Sequence, residues 1–229
     1  MSIPRPLAGA LLAALAAVLG TGCSSPRYEV ARPVSHALER PEDTNLGRTH
    51  AAQLAATPGQ SGFHLLVSGQ EAFLARAAMA EAAERTLDLQ YYIVGEDATA
   101  TLLLQRALRA AQRGVRVRLL IDDLYAVGRD FDLATLAAQP NVEVRLFNPF
   151  LQRGPLGLSR LLEYLGDSTR LNRRMHNKLW IADNALAVIG GRNLGDAYFD
   201  VREESTFADL DLLAGGPVVA GISRSFDAY

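Results

Sequence analysis

The amino-acid sequence predicts an α/β fold, a layered mixed sheet flanked by helices, and three observations carry that reading. Short apolar runs alternate with helix-length segments from Ser68 to Phe147. The unit Leu87–Val94, Thr99–Gln112, Val115–Ile121 reads as strand, helix, strand, which implies parallel pairing with a right-handed crossover. Farther on, Asp183-Asn184 separates the apolar runs Lys178–Ala182 and Ala185–Ile189 as a tight turn between two strands.

The elements follow in order. Arg5 precedes an apolar run from Leu7 to Leu19, and small residues lead to Cys23, so residues 1–23 are expected to form a secretory leader. That run is too short to span a bilayer, which takes ~20 residues. Gly20-Thr21-Gly22-Cys23 resembles a bacterial lipobox, with Cys23 as the lipidated residue, although Leu19 stands one position farther from the cysteine than is usual. Residues 24–62, rich in Pro, Ser, Thr, Glu and Arg, read as a linker or irregular lead-in. The folded domain is expected over 63–229. Ser68-Gly69-Gln70-Glu71 is a capping box opening an alanine-rich helix to about Arg85. Gly114 stops the second helix. A short helix around Asp132–Ala138 leads to a strand at Val142–Phe147, a helix is expected over Leu158–Leu165, and Phe207–Leu213 supplies another strand.

Composition narrows the function classes. The chain has 229 residues, 49% of them hydrophobic, and a net charge of −2. Its basic residues are offset by 25 acidic ones, so an anion site must be a local concentration of charge, and a nucleic-acid partner is not favoured. With Cys23 lipidated, no free thiol remains, which excludes disulfide and thiol chemistry. His36, His50 and His64 lack metal-ligand spacing, Glu203-Glu204 falls in a loop, and Trp180 reads as core.

Among 23 basic residues Lys178 is the only lysine, and it stands two residues after His176. In extended chain those two side chains project from one face toward a common ligand. An imidazole is largely neutral and nucleophilic near pH 7 and can attack phosphorus without a metal. A compact ammonium beside it neutralises a non-bridging phosphate oxygen, a task a broad guanidinium does poorly in a tight pocket. Downstream, Gly190 and Gly191 allow close backbone approach to a phosphate, and Asn193 can donate a hydrogen bond to it. Arg170, Arg173 and Arg174 read as a solvated basic loop, and Asp122-Asp123 as a strand-end cap.

His176, Lys178, Asp183, Gly190, Gly191 and Asn193 together form H-x-K-x4-D-x6-G-G-x-N, which resembles the signature of the phospholipase D superfamily. The stretches LDLQYYI, RGVRVRLLIDD, VEVRLFNPF, RLNRRMHNK, GGRNLGDAYF and FADLDLLA resemble the amino-terminal half of bacterial C-type cardiolipin synthases, from about Gly62 to Tyr229. The resemblance implies a phospholipase D-like sheet carrying one motif-bearing half of a normally two-half enzyme. It implies that His176 forms a phosphohistidine or serves as general acid, that Lys178 and Asn193 bind phosphate, and that Asp183 supports local structure. Asp209 would orient the histidine, with Asp211 as an alternative.

The expected activity is phosphatidyl transfer in cardiolipin synthesis, without cofactor or metal. Phosphatidylglycerol, with phosphatidylethanolamine as an alternative donor, would be the substrate, at a membrane of the bacterial cell envelope facing the periplasm. The alternatives are a phospholipase D-type hydrolase or nuclease, and an inactive membrane-tethered half-domain. One motif stands where the superfamily's phosphatidyltransferases use two, and the helix-spaced Ile222, Phe226 and Tyr229 run to the last residue. The expectation is therefore a chain cut before its second half, with a homodimer joining two copies of His176 as the alternative.

Overall fold

In a computed structural model the described residues are 34–151, 157–201 and 207–229. The leader, Cys23, and Glu203-Glu204 lie outside them. Seven strands form one mixed sheet in the order β1-β7-β6-β5-β2-β3-β4. They are β1 (Gly62–Leu66), β2 (Thr86–Tyr91), β3 (Arg116–Asp122), β4 (Val142–Phe147), β5 (Leu179–Ala182), β6 (Leu186–Gly190) and β7 (Asp211–Gly215). β2, β3 and β4 pair in parallel, and every other pairing is antiparallel.

The lead-in read as irregular contains α1 (Asn45–Leu54), because Thr44 caps it through Gly47 N–H. The segment also packs onto the domain: Asn184 donates to Leu38 O, and Ser35 Oγ donates to Glu143. These partners are distant in sequence, so local composition could not reveal them. α2 (Gly69–Ala82) opens with the expected reciprocal capping box between Ser68 and Glu71. It stops short of Arg85 because Asp183 accepts from the backbone N–H groups of Glu84, Arg85 and Thr86 at 2.8–2.9 Å, removing those donors from the helix ladder. α3 (Ala98–Gln112) is capped by Asp97 and ends at Gly114, whose φ of +97° only glycine adopts readily. α4 (Asp130–Ala137), α5 (Gly157–Gly166), the one-turn α6 (Ser168–Leu171) and α7 (Pro217–Asp227) complete the set.

One sheet face buries Leu87, Leu89, Val117, Leu119, Trp180 and Val188 against the apolar sides of α2, α3 and α4. The other buries Leu120, Met175, Ile181 and Ala187 under Val219 and Phe226 of α7. Ionic pairs tie strand to strand and sheet to helix. Arg118 grips Asp88 in a two-pronged contact at 2.6 and 2.8 Å and reaches Asp227 on α7 at 2.8 Å. Burial raises the Asp88 carboxyl above its usual range, against the pull of Arg118. β7 begins at Asp211, four residues later than the sequence suggested. Phe207 instead bonds Ala197 O and stacks on Tyr198.

Candidate active site

Sheet topology gathers most of the candidate residues at one end. The carboxyl ends of β2 and β3, the amino end of β5, the carboxyl end of β6 and the amino end of β7 all lie there. In layered α/β sheets, ligands bind outside the carboxyl ends of parallel strands.

His176 and Lys178 occupy the extended segment just before β5. His176 is exposed and lies parallel to the Tyr92 ring, with centroids 4.0 Å apart and planes 26° from parallel. Stacking covers a face of the imidazole; its nitrogen lone pairs lie in the ring plane and stay open at the edge. Lys178 Nζ sits 5.5 Å from the same Tyr92 centroid and donates to His176 O at 2.7 Å. One tyrosine thus supports both residues. Two ammonium protons remain for a ligand. Lys178 is only 9% exposed, and burial lowers its pKa, partly offset by the nearby Asp209 carboxylate.

The supports of this segment explain its course. Asp122, fully buried at the end of β3, accepts from Met175 N–H at 2.9 Å and from Arg174 Nη1 at 3.1 Å. That carboxylate fixes the backbone immediately before His176, a role beyond the strand-end cap read from sequence. Its Leu124 bond at 2.9 Å is the cap itself. Arg174 also donates to Leu171 O and Asn148 O, and Arg170 pairs with Asp167 and Glu163, so two of the three loop arginines hold structure. Arg173 is exposed and forms no ion pair among the described residues. Tyr92 is fixed in turn by Tyr125, whose ring meets it edge-on at 5.1 Å.

Asn193 is buried, and its side-chain oxygen accepts from Ile93 N–H at 3.0 Å. That bond orients the amide, leaving its NH2 group without a hydrogen bond among the described residues. Gly190 and Gly191 make room for carboxylates at and just before the start of β7. A Cβ on Gly191 would fall 2.0 Å from Asp209 Oδ1, and one on Gly190 would fall 2.0 Å from Asp211 Oδ1. Asp209 lies near Lys178 but makes no hydrogen bond to His176 among the described residues. Asp211 is committed elsewhere: with no exposure, it pairs with fully buried Arg76 at 2.9 Å and accepts from Arg192 N–H at 3.3 Å.

The motif aspartate, Asp183, lies at the opposite end of β5, roughly 16 Å from Lys178 at ~3.3 Å per residue. Asp183 and Asn184 take φ of +52° and +50° in the turn between Ala182 and Leu186, left-handed conformations that Asp and Asn tolerate best among residues with a side chain. The structure therefore brings together His176, Lys178, Asn193, Gly191 and Asp209, and sets Asp183 and Asp211 apart as framework. The sequence reading missed Tyr92. Its signal was the second tyrosine of LDLQYYI at the carboxyl end of a parallel strand.

Trp180 is fully buried. His36 lies 3.8 Å from Asp227, His50 packs against Gly215, and exposed His64 sits on β1. Among the described residues no three His, Cys, Asp or Glu side chains gather into a metal cluster.

Comparison with known proteins bears on the family and the fold. The family model described as cardiolipin synthase, phospholipase D-like domain, matches residues 77–228. The chain is 51% identical over 172 residues to Escherichia coli cardiolipin synthase C, covering 75% of this chain and 36% of that protein. An uncharacterised Helicobacter pylori protein is 38% identical over 209 residues, 91% of this chain and 41% of its own length. The chain thus spans well under half of these relatives. Among solved structures, NucT from Helicobacter pylori superposes with a TM-score of 0.51 at 15% identity, covering 74% of this chain and 93% of NucT, a likeness of fold. The family match runs through Tyr92, the His176 motif and Asp209 alike, and the chain belongs to the phospholipase D-like cardiolipin synthase family.

Proposed function

We propose that this chain carries out phosphatidyl transfer through a phosphohistidine at His176, in the synthesis of cardiolipin. The observation that carries the reading is the pair itself: an exposed imidazole with free edges, tied through its own carbonyl to a partly desolvated ammonium. In the first step an imidazole nitrogen attacks the phosphorus of phosphatidylglycerol. The bond to the glycerol headgroup breaks, and glycerol leaves with a proton. In the second step a hydroxyl of another phosphatidylglycerol attacks the phosphohistidine, loses its proton, and restores the imidazole. Phosphatidylethanolamine as donor would release ethanolamine by the same steps. Lys178, with the Asn193 amide, stabilises the charge on the non-bridging oxygens in both transition states.

Relatives of this family use two motifs, and the partner in proton transfer would come from a second motif-bearing half or, alternatively, a second copy. No helix among the described residues is long and apolar enough to cross a membrane. We place the protein at the cell envelope on the apolar run Leu7–Leu19 and Cys23, anchored by a lipid on that cysteine and facing the periplasm. Mass spectrometry of the mature amino terminus tests this; an unmodified terminus elsewhere overturns it.

The test of the reaction is transfer from labelled phosphatidylglycerol in vesicles, with this chain and with a version extended by the portion present in its relatives. Labelled cardiolipin that disappears in His176→Ala supports the reading. Labelled phosphatidic acid alone makes water the acceptor and the protein a hydrolase. Cardiolipin formation that survives His176→Ala refutes the role of His176.

A further inference from the structure

Helix α5 has its faces reversed. A helix on a soluble domain normally turns its apolar stripe inward and its polar residues to water. In α5 the leucines at positions 158, 161, 162 and 165, spaced as one helical stripe, are 65%, 52%, 60% and 69% exposed. Ser159, Arg160 and Glu163 on the other side are half-buried. The polar face is what fastens the helix: Glu163 accepts from Leu151 N–H at 3.0 Å and from Arg170 Nη2 at 2.7 Å. No apolar burial holds α5 in place; none of its residues is buried.

We propose that α5 lies in the surface of an anionic phospholipid bilayer, leucines inserted, and so seats His176 at the headgroup plane. The proposal rests on the reading of a phospholipid substrate given above. Charge complementarity favours a lipid occupant. From Gly157 to His176 four arginines face two carboxylates, with Arg174 paired to Asp122 of β3, in a chain whose net charge is −2. Both carboxylates are taken up by Arg170, and Arg173 stands exposed without an ion pair among the described residues. A stripe of leucine alone needs only an apolar solvent, and a basic border meets lipid phosphates, as in helices that lie in a membrane interface. Continuity with the site is the second argument. Tyr164 on α5 donates to Asn172 Oδ1 at 3.0 Å, at the start of the loop that runs through Arg174 to His176. A helix whose leucines enter by ~5–10 Å would bring that loop against the phosphates.

The test places a reporter on the stripe in the whole chain. Trp180, the only natural tryptophan, is fully buried and gives a constant background. In Leu161→Trp, vesicles of phosphatidylcholine mixed with phosphatidylglycerol should shield the new tryptophan from iodide, and lipids brominated near the headgroup should quench it. Leu165→Trp repeats the reading should the first variant fail to fold. Adding Leu158→Ser and Leu165→Ser to the Leu161→Trp reporter should lower its vesicle partitioning by about tenfold or more. A tryptophan equally open to iodide with and without vesicles overturns the proposal. So does one already shielded before vesicles are added, which would mean that a second copy or another part of the protein covers the stripe. Insertion measured in a His176→Ala background is independent of the chemistry. Insertion without transfer would therefore keep the docking face and refute the reaction, and transfer without insertion would do the reverse.

Discussion

Removing the Tyr92 ring should slow the reaction far more than it harms the fold. Tyr92 is half-buried and touches the reactive pair on two sides, as a stacked surface for His176 and a cation–π surface for Lys178. An aromatic stack is worth about 0.5–1.5 kcal/mol. A cation–π contact is worth about 0.5–1 kcal/mol exposed and more when desolvated. If that energy, about 1–3 kcal/mol together, is spent on holding the pair in its reactive geometry, Tyr92→Ala should lower kcat by about 5- to 150-fold. KM should change little, because the ring lies behind the imidazole and not in the path of the ligand. Tyr92→Phe keeps both surfaces, loses only the hydroxyl, and should recover most of the rate. The assay is steady-state transfer from labelled phosphatidylglycerol in the version of the enzyme that turns over. Proton NMR gives a readout independent of activity: the His176 ring protons should resonate upfield in the wild type and move downfield in Tyr92→Ala. An alanine variant with unchanged kcat refutes the reasoning, and a phenylalanine variant as slow as alanine would transfer the effect to the hydroxyl.

Two further outcomes follow from charge placement. Burial depresses the Lys178 pKa, so the native state binds fewer protons than the unfolded chain as pH rises from that depressed value toward the ordinary lysine range of about 10.4, and this group makes stability rise with pH across the window. In the proposed reaction the ammonium is needed, so activity should fall across the same window; Lys178→Met should leave thermal stability equal or higher while abolishing turnover, and a variant that melts distinctly lower would show the charge to be net stabilising. Asp183→Ala leaves three backbone donors without their acceptor, the buried Thr86 N–H and two partly exposed ones that water can reach, so urea unfolding should show a loss of about 1–3 kcal/mol. An Asp183 variant of normal stability but no activity would return that residue to the chemistry.

The sequence displayed the site best where chemistry limits residue choice. Lys178 stood out among arginines, and His176 two residues before it implied a shared ligand. The βαβ unit and the β5–β6 hairpin were legible because strand runs, Gly114 and Asp183-Asn184 are local signals. Tyr92 was not, since stacking depends on the end of β2 meeting the lead-in to β5 across an antiparallel pairing. Asp122 looked like a cap, and it is one; its second task becomes visible only when Met175 arrives from a distant segment. Choosing between Asp209 and Asp211 required knowing that Arg76 on α2 reaches under the sheet to claim Asp211. α1 and β1 escaped notice because their partners lie far along the chain, and the late start of β7 reflects its register with β1, from Gly62–Gly215 to Leu66–Asp211.

That register has a kinetic side. β2, β3 and β4 are joined by neighbouring crossovers, but pairing Gly62 with Gly215 closes a loop of about 150 residues, an entropic cost met only after most of the sheet exists. β7 has no partner besides β6 until then, and Asp209 and Asp211 ride at its start. The carboxylates that sit against Gly190 and Gly191 take their places when β7 pairs with β6, a contact between neighbouring strands, so closing the sheet edge with β1 locks an arrangement that already exists.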